Sequence, residues 1–150
     1  MAKFKYRMQS ILDIKDKMEA QTKIEYGLAR ARLSEEEEKL KGLKVKKNYY
    51  ESKAKELLKD ALKVLEIINT QAAVKQMEQF IEEQRIIVLA EERNVERVRV
   101  KLVEVMQERK THEKLKEKAF EVFMQEENAS ESKEIDQLTS YLYGRRIVQE

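Results

Sequence analysis

From Leu40 onward, positions 40, 43, 47, 50, 54, 57, 61, 64, 68 and 71 step by three and four without a slip. They read Leu, Leu, Lys, Tyr, Ala, Leu, Ala, Val, Ile and Gln. That spacing is the seam of a coiled coil. Leu58, Leu62 and Leu65 widen the seam to a stripe, so the segment needs a partner helix along most of its length. Alone in water such a helix has nothing to cover its apolar face, and the rest of the chain is where the partner is sought.

The rest of the composition agrees. The chain has 150 residues, 40% of them charged, with no proline or cysteine and three glycines, which removes the usual material of turns and hairpins. Long helices or coiled coils have this composition. High charge also invites a disordered reading, but a disordered chain keeps no heptad, and the net charge is only +2. The apolar residues suffice for a seam and not for a thick core, so one elongated domain is expected. The lack of cysteine excludes disulfide staples and thiolate metal sites and fits a reducing compartment. No apolar run approaches the roughly 20 residues that span a bilayer. The opening MAKFKYRMQS lacks the apolar region of a secretory signal.

Taken in order, the first helix is expected to start near Phe4, with Phe4, Ile11 and Met18 repeating by seven. Gly27 and Gly42 fall within it, where a facing helix or a close backbone approach would account for them. The acidic run Glu35–Glu38 precedes Lys39, Lys41, Lys44, Lys46 and Lys47 and reads as a charge-laced surface. No stacking aromatics accompany these lysines, which weighs against a nucleic-acid site. A second seam occupies positions 74, 77, 81, 88, 95, 98, 102, 105, 119 and 123, in a different phase from the first. Asn69 and Thr70, both good N-caps, stand at the phase change. A break there gives two arms, each on the order of 100 Å long.

The expected fold is all-α: an antiparallel two-helix coiled-coil hairpin with its apex near residues 67–72 and helices over about 3–67 and 71–142. Paired residue numbers would then add to about 140. Lys3, Lys5, Arg7, Lys15 and Lys17 would lie along Glu126, Glu127, Glu131, Glu134 and Asp136, and Lys47 near Glu91. The stretch 126–132 lacks an apolar stripe and reads as a frayed helix or a joint. Ile135, Leu138 and Leu142 restore one, and Gly144 is a candidate C-cap.

Catalytic candidates are few. His112, the single histidine, falls at a seam position, where a polar residue can set register, and it has no nucleophile or second ligand beside it. The carboxylates have no pocket to raise a pKa. There is no glycine-rich phosphate loop, so the chain is not expected to bind ATP, and no cofactor is implied. The six methionines read as seam filler. The aromatic ends are the better lead. Phe4 and Tyr6 at one terminus, and Tyr141 and Tyr143 followed by Arg145 and Arg146 at the other, would meet at one tip of a hairpin. There they either close the coiled coil or meet a partner.

Three segments resemble one family. FKYRMQSILDIKDKMEAQ at 4–21, MEQFIEEQR at 77–85 and EKAFEVFMQEENASESKEIDQL at 117–138 resemble the N-terminal signature, the opening of the second helix and the C-terminal region of the flagellar export protein FliJ family. The terminal TSYLYGRRIVQE departs from the common pattern. The resemblance implies a non-enzymatic cytoplasmic component of the flagellar type III export apparatus, peripheral at the inner face of the cell membrane. It implies a stalk like the gamma subunit of rotary ATP synthases, which binds and promotes a hexameric export ATPase, contacts the membrane export gate and engages export chaperones. By position it puts Phe4, Tyr6, Arg7 and Ile11, with Ile135, Leu138 and Tyr141, at the ring end. The alternative of another class is a structural spacer or scaffold, one continuous helix in a parallel dimer.

Overall fold

The computed structural model describes residues 2–59 and 63–149, with side chains through Arg146. Two helices, α1 (Gln9–Leu57) and α2 (Val64–Gln149), pack antiparallel as a coiled-coil hairpin, with no strand among the described residues. The break between them excludes the continuous helix of the parallel-dimer alternative. Packing falls into two compact units, Met1–Glu19 with Val105–Glu150, and Ala20–Glu104.

In the unit Ala20–Glu104, the α1 residues turned inward are 22, 26, 29, 33, 36, 40, 43, 47, 50, 54 and 57. Those of α2 are 67, 70, 74, 77, 81, 84, 88, 91, 95, 98 and 102. Both sets alternate steps of three and four, because 3.6 residues per turn brings that series back to one side of the helix. Ala29, Leu57, Ile81, Val88 and Val98 are buried. Burying a valine- to leucine-sized side chain stabilises by about 1.5–3 kcal/mol, and this burial holds the pair together. Polar seam positions fix the register. The Gln84 amide donates to the Glu36 carbonyl oxygen at 3.0 Å and to the Glu36 carboxylate. At the two sides, Lys101 meets Glu25 at 3.2 Å and Lys47 meets Glu78 at 3.6 Å.

In the unit Met1–Glu19 with Val105–Glu150, Leu12, Lys15 and Glu19 of α1 turn inward against 105, 109, 112, 116, 119 and 123 of α2. The Glu19 carboxylate, buried among them, accepts a hydrogen bond from Arg109, whose guanidinium also bonds Glu113 at 2.7 Å. These two carboxylates, Glu113 first, raise the Arg109 pKa further. Lys15 reaches Glu108 at 2.7 Å.

Several expectations are corrected. The hairpin breaks between Leu57 and Val64, not near 67–72. Thr70 lies inside α2, its hydroxyl donating to the Glu66 carbonyl at 2.7 Å rather than capping a helix start. Val64 and Ile68, seam positions of the first register, are exposed, whereas Thr70 is buried and Ile67 half-buried. Residues 64–71 therefore follow the second register. In both units cross-helix partners have numbers that add to about 125, not about 140, a slip of roughly four turns. Lys15 thus meets Glu108 and not the acidic 126–136 stretch, and Lys47 meets Glu51 and Glu78 rather than Glu91.

The helix ends differ as well. Residues 2–6 are non-helical, and α1 starts at Gln9. Ile11 and Met18 flank the seam, 38% and 37% exposed, while Leu12 fills it at 4%. The 126–132 stretch continues α2 without a joint, and Gly144 is inside the helix with no positive φ. Open space surrounds the Cβ positions of Gly27 and Gly42, so no close backbone approach explains them.

Two outcomes follow. Leu12→Ala should destabilise the chain by about 2 kcal/mol, the lower end for a core leucine, while Ile11→Ala stays within about 0.5 kcal/mol, as chemical denaturation reports. The Gln84 hydrogen bond, then Lys39, holds the Glu36 carboxyl below the ordinary carboxylate range. That contribution is full above this range and is lost as pH falls through the lowered value, so Glu36→Gln should flatten the acid limb of a stability–pH profile.

Candidate functional site

The seam of α2 ends at Phe123. Continuing its steps gives positions 126, 130, 133, 137, 140 and 144, which read Glu, Ser, Lys, Gln, Ser and Gly. Nothing apolar remains there for α1 to cover. In the register of this unit the start of the chain already lies opposite this part of α2. The Phe4 ring meets Phe120 edge-on at 5.2 Å and Phe123, tilted, at 5.4 Å between centroids. Beyond Phe123, α2 runs on to Gln149, roughly 40 Å further. From Met124 to Arg146 every side chain is exposed except the half-buried Glu127.

This extension carries a stripe of its own. Ile135, Leu138 and Leu142 recur at helical spacing, with Tyr141 beside them, each between 59% and 65% exposed. Leu138 stands one residue past seam position 137, so the stripe is rotated by about 100° from the seam. It is therefore not the coiled-coil face left uncovered by a short α1. It faces elsewhere, at the cost of exposing leucine and isoleucine to water.

The expected site residues divide into two groups that the structure does not bring together. Phe4 and Tyr6 are half-buried in the arm that lies on α2; Arg7 is exposed in the turn before α1, and Ile11 flanks the seam. Ile135, Leu138 and Tyr141 stand on the extension, the first about 18 Å along the axis past Phe123. The expected meeting of both termini at one tip fails because the register is about four turns shorter than supposed. Leu142 belongs with the second group and was missed as a site residue. The change of seam positions to Glu, Ser, Lys and Gln after 123 is the signal that would have found it.

Other chemistry is sparse. Among the described residues no three His, Cys, Asp or Glu side chains are grouped to hold a metal ion. His112 sits at its expected seam position, its Nδ1 buried without a hydrogen-bond partner, as is the Tyr6 hydroxyl. Among the described residues no helix is long and apolar enough to cross a membrane.

The two groups should respond differently to truncation. Phe4→Ala loses two ring contacts and should lower stability by about 1 kcal/mol, whereas Tyr141→Ala on the open extension should change it by less than about 0.5 kcal/mol, both read by thermal or chemical unfolding.

Comparison with known proteins agrees with the reading by motif. A solved structure described as a YscO homolog, CT670 from Chlamydia trachomatis, superimposes with a TM-score of 0.77 at 21% identity, covering 99% of this chain and 100% of its own; it supports the fold. The flagellar FliJ protein of Bacillus subtilis (strain 168) is 27% identical over 136 residues, 91% of this chain and 92% of that one. Residues 4–147 match the family of the flagellar FliJ protein. The chain belongs to the flagellar FliJ protein family, components of flagellar protein export.

Proposed function

We propose that this chain is the stalk of a flagellar export ATPase and that the α2 extension is the part that enters the ATPase ring. The carrying observation is the stripe Ile135–Leu138–Leu142 with Tyr141, exposed on a helix end and turned away from the chain's own seam. Tyrosine and large aliphatic side chains on a stiff helix make a low-entropy anchor for a partner groove. A single helix inserted into a ring of identical subunits contacts each of them differently. Such differential contacts are what allow a ligand to bias the states of the subunits.

In this reading the chain supplies no hydrolytic group, and the ATPase does the chemistry. The paired helices, which bury their own seams, lead back from the ring. They carry the link toward the membrane export gate and the export chaperones. Attachment at the inner face of the membrane is through these protein partners.

The test is to titrate the chain into the export ATPase of the same system and follow hydrolysis and hexamer formation. The stalk reading expects several-fold stimulation. Leu138→Glu, which puts a charge into the proposed contact without touching the seam, should raise the concentration needed at least about tenfold, the equivalent of roughly 1.4 kcal/mol. Absence of stimulation by the unaltered chain, or full stimulation by the variant, would sink the assignment of this end.

A further inference from the structure

We infer that the α2 extension is a docking surface for a second copy of itself, forming an antiparallel, two-fold pair when no other partner covers it. Glu127, Glu131, Glu134, Ile135, Leu138, Leu142, Arg145 and Arg146 all fall within an arc of about 120°. From one end to the other this face is acidic, then apolar, then basic. None of its charged side chains makes an ion pair with another described residue of the chain.

Two such faces laid antiparallel about a two-fold axis near Leu138 and Thr139 match. Ile135 of one copy lies opposite Leu142 of the other, and the Leu138 side chains meet near the axis. Glu131 and Glu134 then come opposite Arg146 and Arg145. The symmetry makes every contact away from the axis twice, as an isologous interface requires. A parallel pair would instead set arginine against arginine and glutamate against glutamate. The apolar patch is short, so the interface belongs with weak, transient contacts of less than about 1,200 Å². Because it covers the stripe assigned above to the ATPase, pairing and ATPase binding exclude one another. Self-association would hold the free protein with its apolar end out of water until the ring is available.

Sedimentation equilibrium of the full chain tests this without the ATPase, so its result is independent of the stalk reading. Between about 10 µM and about 1 mM, at about 50 mM salt, the weight-average mass should rise toward twice that of the monomer. Raising salt to about 500 mM should weaken the association several-fold. Leu138→Glu should leave a monomer over the whole range, with unchanged helix content by circular dichroism. Arg145→Glu with Arg146→Glu should do the same. Adding Glu131→Arg and Glu134→Arg to that pair, which exchanges the two ends of the face, should restore the dimer. A chain that stays monomeric throughout would overturn the proposal and leave the stripe to a different partner. A dimer indifferent to Leu138→Glu, or one the exchanged charges fail to restore, would overturn it equally.

Discussion

The buried Glu19 carboxylate is bonded across the seam by Arg109 of α2. An isolated carboxylate in a helix seam is costly, whereas one bonded to a guanidinium is tolerated. A slip of one heptad toward Leu102 would leave Glu19 against an apolar neighbour, so this pair opposes that slip in its unit. Polar seam layers are the best-attested way a coiled coil specifies alignment, and Glu36 with Gln84 does the same in the other unit. Apolar burial supplies the stability; these polar layers decide which residue faces which.

Register in turn decides which part of α2 the N-terminal arm meets. Phe4 packs against Phe120 and Phe123, and the seam of α2 becomes polar from the same point. The rotated stripe of Ile135, Leu138 and Leu142 begins beyond it. One helix thus carries two faces in series, the first covered by α1 and the second exposed.

Much of this was legible in the sequence. The seam positions 40 to 57 and 74 to 123 were read correctly, because a heptad seen in a proline-free chain has few competing explanations. His112 was placed on the seam for the same reason. The break was misplaced because Ala61, Leu62, Val64, Leu65, Ile67 and Ile68 are apolar in either register, so the first run could be extended through them. That one error moved the apex and carried the charge pairing and the meeting of the termini with it. At the start of the chain, the seven-residue repeat of Phe4, Ile11 and Met18 outweighed a seam of Leu12, Lys15, Glu19 and Thr22, in which three of the four are polar. Hydrophobic periodicity does not see a buried ion pair, and here one occupies the seam.

We propose that the export ATPase completes the open face of α2 beyond Phe123, whose described side chains are exposed except the half-buried Glu127. Amide hydrogen exchange on the dilute chain, alone and with saturating ATPase, measures this directly. Amides beyond Phe123 should exchange far faster than those of the seam in the free chain, since a lone helix opens readily, and should slow by at least about tenfold on binding. An extension already as protected as the seam in the free chain, or one that exchanges as fast with ATPase as without it, would contradict the account.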